Sequence, residues 1–431
     1  MKSVVLTFVL SSFLAFATNA AAQNSGDPSD DSYVHPETLD HRSGYKKRPD
    51  FGSAASTPAQ LEEDDRVKDP IIRFLAIDQA LHGWFDTKKR LNEASGLQLG
   101  FDYNTLYQAA SEVLGEDDKA WSGVIRMYGK WDIVNPGSEN TGSIVFGVEN
   151  RHSIDGKIPP NALAGEVGYI GVTGTLFSDV ETILGNLYYQ QRLGEDARGG
   201  FIAGRFDPND FMDVLGYANP WTTFSNVAIL LNPSIALPDW SWGVGSGNWL
   251  SDQWYVLGSV NDANGTITDE SFFSEGSELF SQVEVGWSPS RAERYFTNVH
   301  LTAWHVDERE DAGIPSAQGL SLGANKTWNE TWMLFGRLGW SEGDTPIYNK
   351  TATLGVGRLI RQWSDVFGVG VNWGDPPDDS LRSQWTTEAF YRMQLSQNLQ
   401  ITPSVQWLID PALNSTEDEI WIASLRLRFS F

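Results

Sequence analysis

The chain has 431 residues, a net charge of −25 at pH 7, 18 tryptophans and no cysteine. The acidic balance argues against a nucleic-acid partner, because phosphates require a basic face. The absence of cysteine excludes a disulfide scaffold, a thiol nucleophile and a thiolate metal site.

The N-terminus has the pattern of an export signal. Lys2 supplies a positive charge, residues 4–17 are apolar, and residues 20–22 are alanines. This pattern predicts a signal peptide over residues 1–22 with cleavage before Gln23. A membrane anchor or a buried helix is the alternative, and the short apolar run disfavours both. Export across an inner membrane suggests a Gram-negative host.

Two segments precede the main domain. Residues 23–70 are rich in Asp, Ser and Pro and lack apolar periodicity, so they predict a polar, mobile extension. In residues 71–95, apolar residues recur at partly helical spacing. This segment predicts a short helix that ends around Gly96.

From residue 96 to residue 431 the apolar period becomes two, which is typical of strands. We count sixteen alternating segments, each of about ten residues, the length that a tilted membrane strand needs. Their starting residues are Leu97, Trp121, Ser143, Thr182, Gly200, Asp239, Gln253, Glu278, Arg294, Gly319, Thr331, Thr351, Val366, Ser383, Leu399 and Glu419.

The connections between these segments alternate between short turns and mostly longer loops. This alternation predicts an all-β fold, a transmembrane antiparallel β-barrel of about sixteen strands over residues 96–431. A β-sandwich gives the same alternation in each strand. Sixteen strands would require several sandwich domains, however, and no linker or repeat divides this region.

The longest connection spans about residues 207–238, which exceeds the usual loop length. A loop of this length that folds into the bore would narrow the channel. An outer lid or an extra hairpin is the alternative.

Charged residues on the predicted inner faces are candidates for binding a neutral polyol, because charged groups hydrogen-bond to hydroxyls and aromatic rings stack on sugar C–H faces. A generic lumen whose charges only hold water is the alternative. We assign Trp385, Trp407 and Trp421 instead to the membrane interface. The candidate lining and constriction residues are Arg126, Glu149, Arg151, Arg192, Arg205, Asp207, Asp210, Glu388, Arg392 and Arg426.

Three stretches of the chain resemble the carbohydrate-selective porins of the OprB family over about residues 80–431. The opening segment from Trp84 to Gly96 is similar, although Phe85 and Asp86 stand where the family favours a glycine pair. The second stretch resembles the family's fifth strand and constriction, and the third its late-strand signature. The residues that carry these two are Gly204 to Asp207, Phe211, Ala218 to Pro220, Phe224 to Asn226, Glu388 to Leu395, Ile401 to Pro403, Gln406, Trp407 and Pro411.

The resemblance implies passive diffusion of mono- and small oligosaccharides across the outer membrane. The sequence has no nucleophile elbow, Walker loop, Gly-rich dinucleotide turn or metal-spaced His pair, so we expect no cofactor, no metal and no catalysis. The expected partners are a carbohydrate solute, outer-membrane lipid and the outer-membrane assembly machinery, and a homo-oligomer is compatible with the fold. A general or ion-selective porin is one alternative. A secreted sugar-binding or sugar-cleaving β protein is another, since Asp207 and Asp210 imitate a glycosidase carboxylate pair.

Overall fold

The computed structural model describes residues 51–431 apart from 67, 73, 273–275, 330 and 362–363. The predicted export signal lies outside these residues. None of the helices in the described part of the chain is both long enough and apolar enough to cross a membrane.

Sixteen antiparallel strands form a closed barrel in which each strand pairs with its neighbours in sequence, and the first strand pairs with the last. Tyr103 lies opposite Phe429 at this closure. Every predicted start lies within three residues of the observed one, so the predicted fold is confirmed. The strands are β1 (Leu97–Ala110), β2 (Lys119–Val134), β3 (Gly142–Ser153), β4 (Glu181–Leu193), β5 (Gly199–Phe206), β6 (Ser241–Trp249), β7 (Trp254–Asp262), β8 (Leu279–Trp287), β9 (Thr297–Val306), β10 (Ala317–Trp328), β11 (Trp332–Glu342), β12 (Lys350–Ile360), β13 (Asp365–Asp375), β14 (Gln384–Gln394), β15 (Leu399–Ile409) and β16 (Glu419–Ser430).

The two faces of the wall reverse the pattern of a water-soluble protein. Outward side chains are apolar and exposed, as at Val244 (58%) and Leu354 (61%), whereas inward polar side chains such as Asn104 and Glu388 are buried. This arrangement suits a lipid-facing surface around a polar interior. Exposed tryptophans mark both ends of the wall, as membrane-interface aromatics do. They are Trp131, Trp254, Trp328 and Trp332 at one end and Trp340, Trp385 and Trp421 at the other.

The two ends of the barrel differ in the length of their connections. We call one the turn end, and its connections are 135–141, 194–198, 250–253, 288–296, 329–331, 361–364 and 395–398. We call the other the loop end, and its connections are 111–118, 154–180, 207–240, 263–278, 307–316, 343–349, 376–383 and 410–418.

Short helices accompany the barrel. The α-helices are α1 (Thr57–Asp65), α2 (Leu75–Ser95), α3 (Leu163–Val167) and α4 (Val227–Leu230), and single 3-10 turns lie at Glu195–Ala197, Pro208–Asp210, Arg291–Glu293 and Glu310–Ala312. Helix α2 is the predicted short helix, although it begins later than residue 71. It ends at Gly96, whose φ of 73° is left-handed and therefore favours glycine.

The structure corrects the prediction for residues 51–66, which we had assigned to the mobile extension. Helix α1 lies inside the barrel, where Gln60, Leu61 and Asp64 are buried. Its polar side chains bond to polar groups of the lumen instead of water. A segment of this kind is therefore as polar as a solvated tail, and composition alone does not distinguish the two.

The long loop 207–240, which we call the inward loop, also folds into the barrel. The constriction hypothesis requires this path, whereas an outer lid would lie outside the bore. Leu215, Phe224 and Ile229 of this loop form an apolar cluster with the inward side chains of Phe335 and Phe390. The ring centroids of Phe224 and Phe390 are 4.8 Å apart. This contact fixes the loop against the side of the bore formed by β11–β14.

Candidate functional site

Inward arginines from strands on both sides of the β1–β16 closure converge in the lumen. Alternation along β2 places Arg126 on the inner face, and alternation along β16 does the same for Arg426 and Arg428. Arg392 projects inward from β14 and is likewise buried. Buried guanidinium groups require acceptors, and β1, the inward loop and α1 supply them to Arg126, Arg426 and Arg428.

Asp102 of β1 holds two of these arginines. Its carboxylate accepts hydrogen bonds from Arg126 Nε at 2.8 Å and from Arg428 Nε at 2.9 Å. Arg126 and Arg428 therefore keep fixed positions on the wall, and their remaining N–H groups point toward the lumen contents.

Glu388 and Arg426 fasten the inward loop. The Glu388 carboxylate accepts the backbone N–H of Ser225 at 2.9 Å and that of Asn226 at 2.9 Å, and the Ser225 hydroxyl at 2.8 Å. Arg426 donates to the carbonyl oxygen of Pro220 at 2.6 Å and also to that of Thr223. These two predicted lining residues thus position the constriction, since the Glu388 carboxylate and the two Nη atoms of Arg426 bond to the loop.

A third attachment lies further round the wall, on β9 and β11. The Asp213 carboxylate contacts His300 Nε2 at 3.0 Å and Arg337 Nε at 3.0 Å. Burial alone would raise the pKa of Asp213, but the neighbouring Arg337 and His300 reverse this effect and hold the pKa below its usual range. The loop is therefore attached to the wall at β9 and β11 as well as at β14 and β16.

A cavity of about 330 Å³ lies between the inward loop and the inner face of β2–β4. Five predicted residues line it, namely Arg126, Glu149, Arg151, Asp207 and Asp210. Arg151 donates to Glu149 Oε2 through Nε at 3.0 Å and through Nη2 at 2.8 Å. The cavity therefore presents hydrogen-bond donors and acceptors together.

Two tryptophans that the sequence analysis did not select complete this lining. The guanidinium of Arg126 lies 3.7 Å from the ring centroid of Trp221, and that of Arg151 lies 5.0 Å from that of Trp240. Both rings are buried and belong to the inward loop. Trp221 stands near the middle of the longest connection and Trp240 at its end, so their positions in the sequence do not mark them as lumen residues.

Two acidic residues at the start of the inward loop have raised pKa values. Burial raises the pKa of Asp207 to about 6, although the backbone N–H of Asn209 opposes the shift. Burial, together with the nearby charge of Asp207, raises the pKa of Asp210 well above its usual range. Both carboxyls are therefore harder to ionise than an exposed aspartate.

The remaining predicted residues lie away from this cavity. Arg192 faces the lumen near the turn end, where it lines a second cavity beside Phe51. Arg392 lies on the inner face of β14, outside the lining of the 330 Å³ cavity. The prediction therefore selected lumen residues of two kinds, some at the cavity and some elsewhere in the bore.

Arg205 requires a correction, because we had placed it on the lumen face. It pairs with Leu187 of β4 and Trp242 of β6, which face outward. Its guanidinium donates to the carbonyl oxygens of Leu184, Thr266 and Asp269 at 2.7–2.9 Å. Loop 263–278 covers this end of the short strand β5. The charged Arg205 side chain therefore lies on the outer face without contact with lipid.

Within the described residues, no group of three or more His, Asp or Glu side chains is placed to hold a metal ion. The chemistry available at the cavity is hydrogen bonding, charge and contact with aromatic rings.

Comparisons with known proteins give a family and a fold that agree with this geometry. The family model described as "Carbohydrate-selective porin, OprB family" matches residues 80–431. The high-pH structure of Pseudomonas putida OprB superposes with a TM-score of 0.64 at 14% identity, covering 81% of this chain and 97% of that one. At this identity the similarity shows the fold.

Two further structures are less similar. The low-pH structure of Pseudomonas putida OprB gives a TM-score of 0.48 at 12% identity, with 81% of this chain and 96% of that one covered. A double mutant of the Rh. blastica porin gives 0.49 at 13% identity, with coverages of 78% and 100%. No curated protein sequence matches the chain.

Proposed function

The chain belongs to the carbohydrate-selective porins of the OprB family, and we propose that sugars cross it through the 330 Å³ cavity between the inward loop and β2–β4. The family and the fold are those of outer-membrane channels. Passage by diffusion requires no covalent chemistry, so Asp207 and Asp210 act in this proposal as hydrogen-bonding groups and not as a catalytic pair.

The observation that carries the proposal is the combination of paired charges and tryptophans in the cavity lining. Arg126 and Arg151 offer N–H donors, Glu149 offers an acceptor, and Trp221 and Trp240 offer apolar ring surface. A sugar presents hydroxyls that donate and accept, and it also has C–H faces that pack on aromatic rings. A volume of about 330 Å³ is at the small end for ligand pockets and favours a monosaccharide or a small oligosaccharide.

An ion-selective channel of the same fold fits the lining less well. Rings of one charge sign select ions, whereas Arg151 is paired with Glu149 at this cavity. The lining therefore favours a neutral solute over either sign of ion.

The remaining steps concern delivery to the membrane. Residues 1–22 direct export, and the mature chain begins at Gln23. The outer-membrane assembly machinery recognises β16 and Phe431, which stacks on Phe101 at a centroid distance of 5.9 Å. The outward tryptophans contact lipid at the two interfaces, the loop end faces the outside, and the turn end faces the periplasm.

Liposome swelling tests the proposal. Liposomes that contain the purified protein should swell faster in isosmotic glucose than in a zwitterionic amino acid of similar size. Trp240→Ala should reduce this difference, whereas Trp385→Ala, on the outer face, should not. Equal entry of both solutes into wild-type liposomes would contradict a carbohydrate preference.

A further inference from the structure

The segment that comes before the family match crosses the bore. We call residues 51–66 the lumen segment. Asp64 reaches Arg428 of β16 and Tyr128 of β2, whereas Phe51 lies against Trp249 of β6 and Tyr255 of β7. In the closed ring of sixteen strands, β6 and β7 lie four to seven positions away from β2 and β16, so the segment runs through the bore from one part of the wall to another.

One end of the lumen segment is held by the arginines of the wall. Arg428 donates to the Asp64 carboxylate at 2.8 Å and 2.9 Å, and Tyr128 donates to the same group. Arg126 Nη2 donates to Gln60 Oε1 at 2.6 Å. Burial alone would raise the pKa of Asp64, but the charge and hydrogen bonds of Arg428 outweigh it and hold the pKa well below its usual range.

The other end is held by the inward loop and by the turn between β8 and β9. Ser53 N donates to the carbonyl oxygen of Asp210 at 2.5 Å, and Asn219 Nδ2 donates to that of Ala54 at 3.0 Å. Arg294 Nη1 donates to the carbonyl oxygen of Phe51 at 2.7 Å. The lumen segment therefore contacts both the wall and the constriction.

These contacts place the lumen segment in the sugar path. Ala55, Thr57 and Gln60 line the same 330 Å³ cavity as Arg126 and Trp221. Gln60 occupies an N–H group of Arg126 that a sugar hydroxyl would otherwise take. Since the family match begins at residue 80, this obstruction belongs to the present chain and not to the matched family region.

This inference rests on the proposed passage of sugars through the 330 Å³ cavity. We infer that residues 51–66 form a resident plug, which must withdraw from Arg126 and Arg428 before a sugar crosses the bore.

The three arginines that hold the plug, Arg126, Arg294 and Arg428, each keep an acceptor when it withdraws. Arg126 and Arg428 both keep their hydrogen bonds to Asp102. Arg294 keeps Glu284, whose carboxylate lies 3.2 Å away. Breaking a buried ion pair is costly mainly because a charge is left uncompensated, and these remaining partners remove most of that cost. The plug is thus held by several hydrogen bonds to the wall, and the wall arginines remain paired when these bonds break.

A reversible cross-link in the full-length protein tests the inference. The chain has no cysteine, and the backbones of Ser53 and Asp210 are hydrogen-bonded at 2.5 Å, so Ser53→Cys with Asp210→Cys suits a disulfide. In planar bilayers the oxidised double variant should show ion conductance and glucose flux several-fold below those of its own reduced form. The reduced form carries the same two substitutions and is the matched control.

A second pair of variants avoids the cross-link. Asp64→Asn weakens the contact of the plug with Arg428 and should raise the conductance. Asp65→Asn removes the same charge from the exposed neighbouring residue, which pairs with Lys88 and not with Arg428, and should leave the conductance unchanged. Both variants must show the heat-modifiable mobility of a folded barrel.

Failure of the disulfide to form, or equal conductance of the oxidised and reduced forms, would overturn the plug. Equal conductance of Asp64→Asn and Asp65→Asn would count against it as well. If reduction restores ion current while neither form admits glucose, the plug stands and the carbohydrate function fails.

Discussion

The guanidinium of Arg126 lies 3.7 Å from the ring centroid of Trp221, so that a side chain of the wall and a side chain of the inward loop meet at the cavity. A cation over an aromatic face is stabilised by the ring quadrupole, most strongly where water is excluded. Asp102 fixes Arg126 from the other side. The relative position of the loop and the wall, and hence the shape of the cavity, depends on this contact.

Removing the Glu388 carboxylate should release the loop. In Glu388→Ala the backbone N–H groups of Ser225 and Asn226 lose their acceptor, and each such loss costs about 1–3 kcal/mol. We expect a lower midpoint of thermal unfolding and a larger, noisier single-channel conductance. Glu419→Ala, at an exposed position of β16, is the control. Unchanged conductance in Glu388→Ala would argue that the loop does not depend on this anchor.

Ion selectivity should depend on pH near the shifted pKa of Asp207. Burial raises that pKa to about 6, so Asp207 is neutral below this pH and gains a negative charge as the pH rises through it. Cation preference, measured as the reversal potential in a salt gradient, should therefore increase between about pH 5 and pH 7, above the usual range of an aspartate. Asp207→Asn should flatten this change. A wild-type reversal potential that is constant across this window would contradict the prediction.

Arg205→Ala should affect an outer loop and not the sugar path. The substitution removes donors to the carbonyl oxygens of Thr266 and Asp269, so loop 263–278 should become more sensitive to protease. Glucose block of the ion current should stay at the wild-type level, whereas Arg151→Ala should weaken it. A loss of glucose block in Arg205→Ala would mean that this side chain reaches the lumen after all.

The orientation of the barrel follows from its two ends. Asp418 at the loop end has a 79% exposed side chain, and Asp418→Cys should react with a membrane-impermeant thiol reagent on intact cells. Ser290→Cys, in a turn-end connection, should react only after the outer membrane is opened. The reverse pattern of labelling would invert the proposed orientation.

The sequence predicts most of the wall because a strand's period of two assigns each residue to a face. Arg126, Glu149 and Arg151 follow directly from this alternation. Arg205 does not, because its face depends on its pairing with Leu187, which lies beyond a register shift between Phe146 and Val148 in the β3–β4 pair. A single shift of this kind exchanges the two faces.

The lumen contents could not be predicted in the same way. The path of the inward loop is set by Glu388 and Arg426, which are far from it in sequence, so Trp221 and Trp240 gave no local sign of their position. The lumen segment is polar because the bore is polar, and hydrogen bonds such as that between Gln60 and Arg126 leave no periodic pattern in the chain.

Single-channel recording with a glucose titration, on wild type and on the Trp221→Ala/Trp240→Ala variant, tests most directly whether sugars pass through the cavity. Wild-type current should be blocked with an apparent affinity on the order of 1 mM, about −4 kcal/mol, since a channel must also release its solute. Loss of each aromatic contact should weaken the block by about 1 kcal/mol, roughly five-fold. The current through Trp385→Ala, a substitution on the outer face, should be blocked by glucose as strongly as the wild-type current. Equal glucose block in the double variant and in the wild type would contradict passage through this cavity.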